Sequence, residues 1–183
     1  ASMTGISHSK LFKNNYILND EEQHNINEAL KLIDSNDNYI EDSFNMSIDD
    51  IKQDLRSKKL KSDIKYAFID HIGLVGATEF KSDRRLSTSH MSRELKKISK
   101  ELDIHIIIVV QLNRQAESTS AGLEHLAESH DLSRDASNIL LIDKDRISDT
   151  NIFEVKIAKA RQGRNATLHF ELEPEISKVS EYE

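Results

Sequence analysis

The run Ile104–Val110 constrains this chain more than any other stretch. Of its seven residues six are aliphatic, which fits a strand buried on both faces better than one that alternates between core and water. The run breaks at Gln111, an uncharged amide that can both donate and accept hydrogen bonds. In open α/β sheets, ligands bind just outside the carboxyl ends of the strands. A second apolar strand, Tyr66-Ala67-Phe68-Ile69, ends in the same way on a polar residue, Asp70.

Composition narrows the classes. A chain of 183 residues, 37% hydrophobic and 31% charged, is expected to form one globular domain with a real core. No apolar run approaches the roughly 18 residues of a membrane span, and no charged segment with an apolar follower marks a signal peptide. With no cysteine, disulfides and thiolate metal sites are ruled out, and a cytoplasmic protein is expected. The net charge of -7 argues against a generally basic nucleic-acid surface, but it leaves room for a local basic channel.

Capping and periodicity place the elements. Asn19 or Asp20 caps a helix over about 20–34, with Ile26, Ala29, Leu30 and Ile33 on one face. Ser47 caps another over about 48–58, carrying Ile48, Ile51 and Leu55 at helical spacing. A strand follows at 65–70, then a long loop over 73–89. The helix over about 89–102 shows Met91, Leu95, Ile98 and Leu102 as one stripe. Beyond the strand 104–110 come a polar loop, a short helix near 123–129, and strands at 138–142, 152–158 and 166–172. Strands alternating with helices and then a strand pair predict a mainly parallel α/β sheet with an antiparallel C-terminal edge.

A strand closing on an acid, a helix, and a strand closing on an amide is an order used by nucleotide hydrolases. Asp70 suits the water shell of a magnesium ion, which takes few protein ligands; a strand-end acid in solvent or a helix cap is the plainer reading. Gln111 could equally be structural. Lys159 and Arg161, two apart on an extended segment, face one side and could reach one phosphate. Between Val155 and Phe170 there are four basic residues, Lys156, Lys159, Arg161 and Arg164, and no acid. A solvated basic edge that discourages sheet aggregation explains them as well. The eight histidines include no HExxH pair, and His125 and His130 are poorly spaced for a metal. No nucleophile elbow occurs. The phosphate cradle GxxxxGK[ST] is missing too, since no glycine here is followed by lysine.

From Tyr66 to about Phe170 the chain resembles the C-terminal, RecA-like motor domain of DnaB-type replicative DNA helicases. AFIDHIGLV is similar to that family's Walker B strand, usually written around IDYLQL. SRELKKISKELDIHIIIVVQLNR resembles its SRxLKxLAKEL-strand-SQLNR segment. LEHLAESHDLSRDASNILLIDKD resembles DLRESGxIEQDAD, and IAKARQG resembles KxRxG. A weaker match over Gly5–Arg56 covers the helices before Walker B.

The resemblance implies a RecA-like fold without its P-loop strand, a helical lead-in over 1–60, and a Walker B-to-finger region over 61–183. It implies Asp70 as the acid acting on magnesium and Gln111 as the sensor amide. It also implies Lys159 and Arg161 as fingers reaching a neighbour's phosphates and Lys144 as an ATP contact. Arg84, Arg85, Glu128, Ser129 and His130 would face single-stranded DNA. A hexameric ring and a loader or primase partner come with it. Departures are present: His71 and Gly73 stand for the usual Tyr and Gln, Ala127 for Arg, His130 for Gly, and Val110 for a small polar residue. They suggest a divergent branch of phage or mobile-element type. Ala1–Gly5 is expected either to follow the catalytic glutamate's position, with the cut inside a domain, or to be a tag remnant. Three readings remain: a piece of a helicase, inactive alone; a truncated protein that docks into helicase rings or regulates them; and a RecA- or KaiC-like ATPase that does not unwind DNA.

Overall fold

A computed structural model describes residues 1–13, 16–36, 38–43, 46–72, 75, 84–111, 130–144 and 151–182. Their elements, in chain order, are α1 (His8–Leu11), α2 (Asp20–Asp34), α3 (Ile48–Ser62), β1 (Tyr66–Ile69), α4 (Arg84–Leu102), β2 (His105–Ile108), α5 (His130–Asp135), β3 (Asn138–Lys144), β4 (Ile152–Ala160), β5 (Thr167–Glu173) and β6 (Lys178–Glu181). β1 pairs with β2 in parallel. The other four strands form a sheet in the order β3-β4-β5-β6. In place of an antiparallel edge on the parallel strands, the described residues form a separate four-stranded sheet in which β5 pairs antiparallel with β4 and with β6. The α/β class stands.

The chain divides into two compact units, Ala1–Ile40 with Leu140–Ile157 and Asn165–Glu183, and Glu41–Ile139 with Ala158–Arg164. In the first unit, local chemistry starts α2. The Asn19 side chain accepts the Glu22 N–H, and the Glu22 carboxylate accepts the Asn19 N–H, closing a capping box. Glu22 also takes Lys10 Nζ at 2.8 Å and the Tyr16 hydroxyl at 3.1 Å. The lysine hydrogen bond is the main cause that keeps its carboxyl below the usual range. Across β4 and β5, Phe153 stands opposite Phe170 and the rings stack at 5.8 Å, a cross-strand pair that fixes register.

The second unit carries the apolar core: Ile48 and Leu55 of α3, Met91, Leu95 and Ile98 of α4, with Ile72, Ile104 and Leu132. Ile98 is fully buried. Ser47 caps α3 through a second capping box with Asp50, as expected. The helix runs on to Ser62, past the predicted end near 58. Its last turn is made of helix-forming residues with little to bury, and Leu60 is exposed. Asp63 then leaves the helix in the left-handed region at φ 48°.

Two expectations change here. α4 begins at Arg84, so residues 84–88 are helix and not the end of a loop. The buried face continues backwards through Ser87 and Ser89, small polar side chains that a search for apolar periodicity passes over. The run 104–110 is also not buried on both faces. β2 and β1 both alternate, with Ala67, Ile69, Ile106, Ile108 and Val110 packed against the core, while Tyr66, Phe68, Ile107 and Val109 are exposed. The outer face is apolar in sequence and exposed at these four residues.

α3 is braced to α4 by charge. Lys52 Nζ lies 2.6 Å from Glu94, and Arg56 makes two hydrogen bonds to Glu101 at 2.7 and 2.9 Å. The Lys52–Glu94 pair is the less exposed, 18% and 13% at the side chains, so solvent screens it less. Lys52 first and Lys97 second hold the Glu94 carboxyl at about 2. Because the folded value lies below the unfolded one, this stabilisation is complete above the ordinary carboxylate value of 4.5 and drains away as pH falls from there toward about 2. Urea titrations at a series of pH values check this. The unfolding free energy of Glu94→Gln should trail the wild type at pH 6, and the gap should close in the acid window.

Candidate functional site

Asp70 and Gln111 occupy neighbouring strand ends. The parallel register sets Ile69 opposite Ile108. The ladder continues past both strands: Val109 N–H donates to Ile69 O at 2.9 Å, and Ile72 N–H to Val109 O at 3.3 Å. Asp70 lies between those rungs and Gln111 two residues beyond. Strand alternation, carried to the ends, puts Asp70 with Tyr66 and Phe68, and Gln111 with Ile107 and Val109. Both polar groups are thus on the outer face, and both are exposed. The Asp70–His71 peptide is cis. His105 stacks on Tyr66 at 5.4 Å across the parallel register.

Among the described residues no group of three or more His, Cys, Asp or Glu is arranged to hold a metal ion. A lone carboxylate such as that of Asp70 is compatible with magnesium, which keeps several waters and takes few protein ligands.

Lys159 and Arg161 meet elsewhere in the same unit, at the carboxyl end of α5. Lys159 Nζ donates to Ser133 O at 2.6 Å and Arg134 O at 3.2 Å. Arg161 Nη2 donates to the same Arg134 carbonyl at 3.2 Å, and its backbone N–H to Ser137 O at 3.2 Å. Two cations on the last carbonyls of a helix complement its negative end. The turn after them includes Gly163, where a β-carbon would meet Ala160 Cβ at 3.3 Å, so a side chain there would crowd the strand end. α5 itself was not read from the sequence: six residues, HDLSRD, carry too little periodicity. Two bonds from α4 hold its end in place, Ser92 Oγ to Asp135 at 2.9 Å and Lys96 Nζ to Ser137 Oγ at 2.7 Å.

The remaining candidates divide. Arg84 and Arg85 open α4, whose first turn has no acid. His130 begins α5 and Lys144 ends β3. Glu128 and Ser129 lie outside the described residues, as do the expected helix near 123–129, Ala127 and Gly73. Among the described residues, no hydrogen bond or ion pair joins Asp70 or Gln111 to Lys159 or Arg161. No helix among them is long and apolar enough to cross a membrane.

Removing the cation from α5 should loosen its end. In Lys159→Met the Ala136 amide, which donates to Leu132 O at 2.9 Å, should exchange with deuterium about fivefold faster, as roughly 1 kcal/mol of helix-end stabilisation implies. Amide-resolved exchange by NMR reads this out, and an unchanged rate would mean the lysine does not stabilise α5.

The family model described as the DnaB-like helicase C terminal domain matches residues 1–181. The chain is similar to the replicative DNA helicase DnaC of Bacillus subtilis (strain 168), 28% identical over 170 residues, 88% of this chain and 37% of that protein. It is also similar to a probable plasmid replicative DNA helicase of Chlamydia trachomatis, 29% identical over 185 residues, 98% of this chain and 40% of that protein. So the chain spans about two fifths of the length of these two relatives. Among solved structures, an ATPase domain superposes with a TM-score of 0.90 at 28% identity, covering 100% of this chain and 68% of that one. A DnaB-like replicative helicase, studied with its primase interactions, gives a TM-score of 0.90 at 28% identity over 100% of this chain and 47% of that one.

Proposed function

This chain belongs to the DnaB-like helicase C-terminal domain family, with a RecA-like fold, and on that basis we propose that it forms the nucleotide-responsive part of a ring-shaped replicative DNA helicase. The placement of Asp70 and Gln111 on adjacent parallel strand ends carries this reading. Asp70 would hold a hydrated magnesium ion. Bound there with ATP, magnesium neutralises charge on the phosphates undergoing transfer. Gln111, one strand away, would sense the terminal phosphate through its amide and pass that state to the segment beginning at Leu112. Lys144 would contact the nucleotide.

Lys159 and Arg161 would act on the nucleotide of a neighbouring subunit in a hexamer, stabilising the transition-state charge. Their contacts with α5 support the reading, because His130, the first residue of α5, belongs to the segment assigned to single-stranded DNA. Arg84, Arg85, Glu128, Ser129 and His130 would face that strand. A primase or a helicase loader would be the external partner, and the cytoplasm the compartment. The 183 residues contain no GxxxxGK[ST], so hydrolysis by this stretch alone is not expected: the amides and lysine that cradle phosphates are missing from it.

Two substitutions in the ring protein that contains this domain test the assignment. Asp70→Asn keeps shape and removes charge, and should lower kcat at least about 10³-fold, or some 4 kcal/mol. Gln111→Ala should keep basal hydrolysis within about tenfold and abolish its stimulation by single-stranded DNA. A kcat for Asp70→Asn within about threefold of wild type, under 1 kcal/mol, would remove Asp70 from the metal site.

A further inference from the structure

The carboxyl end of α5 gathers more positive charge than a six-residue helix needs. Besides Lys159 and Arg161, a third cation arrives from α4. Lys96 Nζ donates to Ser137 Oγ at 2.7 Å, and the carbonyl of that same serine accepts the Arg161 N–H at 3.2 Å. Lys96 is half-buried, and none of the ion pairs among the described residues involves it. The acids nearby have other partners. Glu94 lies with Lys52 and Lys97. Asp135 accepts the Ser92 hydroxyl and lies 3.9 Å from Arg134. Burial first, and then the charge of Arg161, hold the Lys96 ammonium below the usual lysine range.

Three cations therefore share neutral acceptors only: two helix carbonyls, a serine carbonyl and a serine hydroxyl. A helix end supplies about half a negative charge and the nearby Asp135 carboxylate one more, still short of three. Donors are left over as well. Lysine has three N–H groups and arginine five; among the described residues Lys96 uses one of its three, Lys159 two, and the Arg161 guanidinium one. Like charges gathered around donors that can still bond make a patch of positive potential.

We propose that Lys96 is the third cation of the phosphate-facing cluster with Lys159 and Arg161, binding the terminal phosphates of a nucleotide held by a neighbouring subunit, with Ser137 fixing its position. This rests on reading Lys159 and Arg161 as phosphate-facing. A purely structural Lys96, present to pin Ser137, would leave anion binding untouched.

Inorganic tripolyphosphate, titrated into the 183-residue chain at constant ionic strength, is the probe. Backbone amide shifts at residues 136–138 and 159–162 report binding. Saturable shifts are expected. Lys96→Gln, whose amide can still donate to Ser137 Oγ, should weaken binding about tenfold, as should Lys159→Met and Arg161→Met. Lys96→Arg should restore it to within about threefold, which a hydrogen-bonding role alone would not require. If Lys159→Met and Arg161→Met weaken binding while Lys96→Gln does not, Lys96 is structural and the proposal fails with the finger reading intact. If only Lys96→Gln weakens it, the finger reading fails, and the shared cluster with it. Shifts that stay linear to high concentration, as simple screening gives, would show that the cluster is no anion site.

Discussion

Two four-residue strands lying parallel, Tyr66 opposite His105 and Ile69 opposite Ile108, decide where the rest of the candidate site can be. A parallel pair needs a crossover between its strands, and α4 supplies it. Its buried stripe of Ser87, Met91, Leu95 and Ile98 seats the helix against one face of the pair. A slip of one residue would turn Asp70 and Gln111 toward that helix and bury a carboxylate without a partner. Core packing and the position of the two polar groups are one constraint.

α4 also sets the second cluster. Its Ser92 and Lys96 sit four residues apart, on neighbouring turns of one face, and bond Asp135 and Ser137. These two bonds fix the carboxyl end of α5, where Lys159 and Arg161 rest on the carbonyls of Ser133 and Arg134. One helix thus organises both the strand ends and the basic group.

What could be read from sequence was mostly local. Asn19 with Glu22 and Ser47 with Asp50 declare helix starts through side chains three residues apart, and both starts hold. Asp70 and Gln111 were legible because an apolar run that ends on a polar group is also local. The beginning of α4 was not, since its buried side chains there are serines. The half-exposed state of β2 was not either: an aliphatic run shows which residues prefer burial, while the neighbours that would provide it are a matter of tertiary structure. The contacts of Lys96, Lys159 and Arg161 join residues more than twenty apart, beyond the reach of any periodicity.

The central claim is that Arg161 serves a neighbour's nucleotide and Asp70 its own. Mixed rings separate these directly. An Asp70→Asn subunit would supply a working finger beside a dead site, and an Arg161→Ala subunit the reverse. The measurement is ATP turnover against the mixing ratio, with subunit exchange verified by native mass spectrometry. The account predicts that each variant is inactive alone, at a loss of about 10³–10⁵ for a finger of this kind, and that mixing restores turnover, with a maximum at intermediate ratios. An inactive Arg161→Ala that mixing never rescues, in rings shown to be mixed, would contradict it and assign Arg161 to its own subunit.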